Sequence, residues 1–257
     1  MAELLPILMY HGVHASSAQP GIFDSVYSVA PDAFERQLDW LAESNYRTIR
    51  LVDVDTVSAS DRCVVITFDD GDISNVDVAL PRLRQRAMVG EFFVTADFIG
   101  RGGYLAPADV RMLAEAGMGV QSHGYSHRYL SDLSMNELED ELAQSMSRLE
   151  GLSGQPTVAL ALPGGRGRER ERLAARAMGY RYLLNSEPGC NRRRTADGYL
   201  QRLPITRLTT LDKFGALVQW RGTAPRILSA RYRTLGLAKR LFGNAAYERW
   251  RERMLPR

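Results

Sequence analysis

Cysteine is nearly absent from this chain, and its scarcity removes two kinds of scaffold at once. Only Cys63 and Cys190 occur in 257 residues. They sit in unrelated contexts without CxxC spacing, so neither a zinc ribbon nor a disulfide framework is expected, and both read as plain thiols. Histidine is almost as rare: His11, His14, His123 and His127 are the four, and none follows His127. No apolar run approaches the roughly 20 residues of a membrane span. Residues 1–11 lack a basic n-region, and their apolar run is broken by Pro6 and ended by His11. That pattern predicts a first strand rather than a leader, and so a cytoplasmic protein. A strong charge of either sign is also missing. A formal net charge of +3 over this length argues against a nucleic-acid-binding surface.

What is present is the balance of a globular domain, with 45% hydrophobic and 25% charged residues, enough apolar content to bury a sizeable core. Short apolar runs alternate with amphipathic segments from end to end. Strands are predicted over 4–9, 47–51, 63–67, 91–94, 119–121, 157–162, 180–184 and 200–205. Helices are predicted over 31–44, through Val76, Leu80 and Leu83, over 107–116, from the capping box of Ser134 and Glu137 to about 150, and over 168–178. Strands alternating with helices favour an α/β fold with a parallel sheet, either open and doubly wound or closed. The expectation is an irregular barrel of the (β/α)7 type. From Thr223 the chain changes character, with Leu228, Tyr232, Leu235 and Phe242 set among Arg226, Arg231, Arg233, Lys239 and Arg240. The division is a catalytic domain over 1–222 and a basic helical C-terminal extension over 223–257. That extension suits docking on an anionic membrane surface or on a glycosyltransferase partner, while packing against the barrel is the plainer expectation. The arginine-rich stretch 189–198 is expected to form a lid.

Two motifs carry chemistry. Thr67-Phe68-Asp69-Asp70-Gly71 ends a buried strand with adjacent carboxylates and a glycine that permits a sharp turn. On its own such a tripeptide is as often a plain turn. His123-Gly124-Tyr125-Ser126-His127 follows another strand, and a four-residue spacing puts both imidazoles on one side of a helical turn. Paired histidines alone are often surface or hydrogen-bonded residues. Two imidazoles and a carboxylate make a three-ligand site with an open position, as in a hydrolytic zinc centre. The motifs lie on crossover units of the same expected parallel sheet, so their loops fall on one face of it.

At these residues the sequence resembles the polysaccharide deacetylase family (carbohydrate esterase family four, NodB-like), over roughly residues 5–220, and most closely its poly-N-acetylglucosamine deacetylases. The resemblance implies Asp69 as base and Asp70, His123 and His127 as ligands of a divalent metal, Zn2+ first, with Co2+ or Ni2+ as alternatives. Gly124 stands where the family has Ser or Thr, which removes a hydroxyl that braces the loop and implies weaker metal binding. Ala161-Leu162-Pro163-Gly164-Gly165 corresponds to the third motif and aligns the Gly164 N–H with the oxyanion donor. The family's arginine is missing there, so either Arg166 approaches from the other side of the loop or Asp69 is positioned differently. The late histidine that donates a proton is missing as well. His11, in Tyr10-His11-Gly12, resembles the N-terminal Tyr-His of the biofilm polysaccharide deacetylases and is the candidate acid.

These residues imply a metal-dependent hydrolase that takes N-acetyl groups from an N-acetylated oligosaccharide, polysaccharide or precursor. Inside a cell the substrate would be a lipid-linked or nucleotide-linked precursor. No serine elbow or Cys/His pair is evident, so water is the expected nucleophile. His14 reads as a loop residue, and Glu187, Asn191, Tyr10 and Tyr125 as candidates for sugar contact that serve equally as solvated or core positions. Two other readings compete: an amidohydrolase for a small non-sugar amide, and a sugar-binding module with a degenerate site.

Overall fold

The computed structural model describes residues 4–58, 60–192 and 198–242. Strands are β1 (Leu4–Leu5), β2 (Ile7–Tyr10), β3 (Arg47–Thr48), β4 (Cys63–Phe68), β5 (Glu91–Val94), β6 (Gly119–Ser122), β7 (Ala159–Ala161), β8 (Tyr182–Pro188), β9 (Asn191–Arg192) and β10 (Tyr199–Pro204). Helices are α1 (Pro31–Glu43), α2 (Leu80–Gln85), α3 (Pro107–Glu115), α4 (Met135–Ser153), α5 (Glu169–Ala177), α6 (Leu211–Val218) and α7 (Ala224–Phe242).

Seven parallel strands run β2-β10-β8-β7-β6-β5-β4, and β4 pairs back onto β2, which closes the barrel. Closure explains the strand composition. All six residues of β4, Cys63-Val64-Val65-Ile66-Thr67-Phe68, are buried because both faces are covered, so the strand reads as a continuous apolar run without alternation. One face fills the barrel with Ile7, Val65, Phe93, Ala161, Leu184 and Leu200. The other packs Leu8, Tyr10, Ile66, Phe68 and Phe92 against Phe34 and Leu38 of α1 and Phe214 and Leu217 of α6.

Several expectations shift. The strand expected over 47–51 is only Arg47–Thr48, because Leu51 turns into a short 3-10 segment whose N–H is captured by the buried Glu91. Pro6 divides the first strand, and β1 leaves the barrel to pair antiparallel with β9. The helix after β4 opens as a wide π turn over Asn75–Ala79. Helix α6, capped by the Thr210 side chain, was not anticipated. Helix α7 follows the expected change of character at residue 223. Its first turns rest on the barrel, with Leu228 against the core and the Ser229 hydroxyl donating to the Pro188 carbonyl. The basic extension beyond 242, and Arg193 and Arg194 of the expected lid, lie outside the described residues. Among the described residues no helix is long and apolar enough to cross a membrane.

Candidate metal and catalytic site

All the motif residues gather at the C-terminal edge of the barrel, where strand ends deliver side chains to one rim. β2 and β4 are neighbours in register, Tyr10 beside Phe68. The next residue on each strand is therefore His11 and Asp69, and the Asp69 N–H bonds the Tyr10 carbonyl at 2.9 Å. Asp70 follows with φ +73, a left-handed conformation that turns its carboxylate towards the loop after β6. Such a backbone is costly for a residue other than glycine and concentrates at functional sites.

His123 and His127 both present Nε2 to Asp70 Oδ1, each at 3.3 Å. The expected helical turn is absent. Residues 123–127 form an irregular loop in which Gly124 at φ +79 and His127 at φ +64 bring the rings together, centroids 5.0 Å apart. His123 is buried and its Nδ1 lies 2.9 Å from the Ala161 carbonyl, which fixes the tautomer with a lone pair on Nε2. Asp70 Oδ1 is buried yet has no hydrogen-bond partner. An acceptor left unmatched between two nitrogens is a poor hydrogen-bond cluster and a good ligand set. Separations of 3.3 Å are also the edge of a tetrahedron with bonds of about 2.0–2.1 Å. The donor set thus fits a divalent cation. Burial acts to raise the Asp70 carboxyl, but the two imidazoles and His11 outweigh it and hold it well below the ordinary range.

Gly124 has its explanation here. A Cβ at this position would lie 3.1 Å from Glu141 Oε1 on a backbone already at φ +79. The missing hydroxyl is replaced from α4: Glu141, itself buried, accepts from the Ser126 N–H and hydroxyl, and Ser145 donates to the Gly124 carbonyl. The loop is therefore braced, contrary to the expectation of lost support.

The decisive residue that sequence reasoning missed is Arg202. It lies on β10 with a fully buried side chain and grips Asp69 with both outer nitrogens, Nη1 to Oδ1 at 2.6 Å and Nη2 to Oδ2 at 2.8 Å. Its Nε donates to the Asn185 carbonyl, and the guanidinium lies 5.7 Å from the Phe93 ring centroid. Burial acts to raise Asp69, and Arg202 with His123 outweighs it, so Asp69 stays ionised below the ordinary carboxylate range. Arg166 takes no part in this. Its guanidinium stacks 4.2 Å over the Tyr129 ring. The sequence carries only half of the signal for Arg202: an arginine between Leu200 and Leu203 on a strand calls for a partner without naming Asp69.

His11 borders a cleft of about 120 Å³ together with Asp70, Tyr27, Tyr104 and Asp72. Its ring stacks on Tyr27 at 4.7 Å, its carbonyl receives the Asn75 amide, and its Nδ1 is buried without a partner. Gly164 is exposed at φ +63, in a loop whose Pro163 sits against Gly124. Tyr10 is core, its hydroxyl donating to Gln37, and Asn191 is buried and occupied by Gln201 and Leu5. Neither is free to meet a sugar.

Residues 56–183 match the family model described as polysaccharide deacetylase. That stretch contains Asp69, Asp70, His123, His127 and Gly164, while His11 and Arg202 fall outside it. The chain is 28% identical over 220 residues to YxkH of Bacillus subtilis, whose name assigns it provisionally to the polysaccharide deacetylases, covering 84% of this chain and 76% of that one. Solved structures share the fold. A polysaccharide deacetylase from Bacillus cereus superposes with a TM-score of 0.77 at 22% identity, covering 84% of this chain and 69% of that one. IcaB from Ammonifex degensii superposes with a TM-score of 0.73 at 24% identity, covering 86% and 97%.

Proposed function

This chain belongs to the polysaccharide deacetylase family, and on that premise we propose that it is a metal-dependent hydrolase removing N-acetyl groups from amino sugars in a polysaccharide or its precursor. The observation that carries this reading is the convergence of Asp70, His123 and His127, beside an Asp69 that Arg202 keeps ionised.

Asp70, His123 and His127 would hold the cation, Zn2+ before Co2+ or Ni2+. A divalent cation in that position lowers the pKa of water and polarises an acyl carbonyl. Asp69, next in the chain, accepts the proton that water gives up when it attacks the amide carbon. Arg202 fixes the plane of its carboxylate and leaves it a base of modest strength. The N–H of Gly164, an exposed residue between the buried Pro163 and Gly165, donates to the oxygen on which negative charge develops. His11, which lines the cleft together with Asp70, protonates the departing amine, and acetate and a free amino sugar leave. Arg202 also weakens the case for a degenerate sugar-binding module, since the arginine missing from the third motif has a substitute on β10.

The test is acetate release from N-acetylglucosamine oligomers by the protein as isolated, after chelation, and with Zn2+ or Co2+ restored. Release should disappear on chelation and return with metal. His11→Ala should lower kcat by about 10²–10⁴-fold with metal content unchanged. Activity that survives exhaustive chelation would sink the metal-dependent reading, and full activity in His11→Ala would remove that residue as the acid.

A further inference from the structure

Beside the site lies a second buried histidine with a carboxylate and a hydroxyl of its own. The His14 ring is 1% exposed. Its Nδ1 meets Ser28 Oγ at 3.1 Å, and its Nε2 lies 3.2 Å from Asp72 Oδ1, at an angle outside hydrogen-bond geometry. The surroundings are built around this ring. A Cβ on Gly12 would come within 2.4 Å of His14 Cε1, and one on Gly21, at φ +120, within 2.3 Å of Nε2. Phe23 packs edge-on against it. Arg207 closes the cluster from outside, donating to the carbonyls of His14, Ala15 and Ser28.

What this cluster joins matters. Ser28 ends the long loop between β2 and α1, one residue after the Tyr27 that stacks on His11. Asp72 stands two residues after Asp70 and also accepts the Ile22 and Ser74 N–H groups. His14 itself is three residues after His11. The ring therefore ties the segment carrying the candidate acid to the segment carrying a metal ligand, from behind the wall of the cleft. We propose that His14 is a positioning residue that fixes His11 and Tyr27 relative to Asp69 and Asp70. This rests on the deacetylase reading for its catalytic consequence, but the clamp itself is a property of the fold. The Ser28-His14-Asp72 order also matches a nucleophilic triad, a reading the burial of both Ser28 and His14 disfavours.

The experiment compares His14→Ala, His14→Gln and Ser28→Ala in the full chain. His14→Ala should lower kcat by about tenfold to a hundredfold, because a small misplacement of an acid is felt in the transition state, and should leave KM within about twofold. His14→Gln keeps a buried polar side chain that reaches between Ser28 and Asp72 and should recover much of the loss. Ser28→Ala should cost only a few-fold. Hydrogen exchange supplies a readout that needs no substrate. In His14→Ala the amides of Val13, His14 and Val29, which bond Ser74 Oγ, the Val29 carbonyl and the Gly12 carbonyl, should lose protection while the barrel strands keep theirs. A wild-type kcat in His14→Ala overturns the proposal. So does unchanged exchange, or exchange raised throughout the barrel. Labelling of Ser28 by a fluorophosphonate, with turnover abolished in Ser28→Ala, would replace it with the triad. If the unmodified protein releases no acetate, the deacetylase reading fails, and the exchange pattern still decides whether the clamp exists.

Discussion

Asp69 meets the Arg202 guanidinium with both carboxylate oxygens in a site where neither side chain is more than 3% exposed. A buried pair of this kind contributes little net stability, because desolvation offsets most of the attraction, but removing one partner strands the other charge. Arg202→Met should therefore destabilise the fold by about 3–5 kcal/mol in denaturant titration. It should also raise the pKa of Asp69. Arg202→Lys keeps the charge but loses the planar two-point grip. Its expected phenotype is a milder loss of stability and a clear fall in kcat for acetate release; a Lys variant with unchanged kcat would show that orientation of the Asp69 plane is unimportant. Asp69, Asp70, His123 and His127 were legible because their spacing is local and their chemistry is rare in so histidine-poor a chain. Arg202 was not, because the distance from residue 69 to residue 202 is closed only by the barrel. An arginine in a strand announces a partner without saying which.

Elements explain why the loop over 123–127 departs from the helical geometry its spacing suggested. Left-handed residues at 124 and 127 let five residues reverse direction above β6, and α4 then stitches the loop down through Glu141 and Ser145. Two substitutions separate backbone from brace. Gly124→Ser, although it restores the residue usual in the family, should destabilise by about 1–3 kcal/mol and should not tighten metal binding, because the left-handed backbone and Glu141 oppose a Cβ. Glu141→Ala should weaken metal affinity by about 10–100-fold, read by competition with a chromogenic chelator. A Gly124→Ser protein that binds metal more tightly would mean that this loop follows the hydroxyl-braced pattern after all. At this scale the buried strands and the Ser134 cap of α4 were readable, since a continuous apolar run and a capping box are local signals. The β1–β9 pair and α6 were not. The first joins residues nearly 190 positions apart, and the second hides a short amphipathic helix behind Thr209 and Thr210.

The whole barrel has two unlike ends. The rim that carries the candidate site gathers charged side chains, whereas Glu91 is fully buried at the start of β5. It accepts the Leu51 N–H through Oε1 and the Gln121 side-chain amide through Oε2, and Gln121 in turn accepts the N–H groups of Val158 and Ala159. Gly119 has no side chain because a Cβ there would overlap Glu91 Oε2. One carboxyl thus links β5, β6, the start of β7 and the segment after β3. Burial raises its pKa above 4.5, against the opposing pull of the Leu51 N–H and Arg50. A raised folded-state pKa means that the native protein holds this proton more tightly than the unfolded chain. The contribution is complete below the unfolded value and is lost as pH climbs from about 4.5 through the folded value. Glu91→Gln carries no such titration. The unfolding free energy of the parent, measured relative to Glu91→Gln, should therefore be most favourable near pH 4 and should fall as the pH is raised towards 7. Urea titrations of both proteins across that range measure the difference directly, and the titrations of Asp69 and Asp70 cancel because both proteins contain them. A difference that stays flat with pH would mean that Glu91 is ionised as easily inside the barrel as in water.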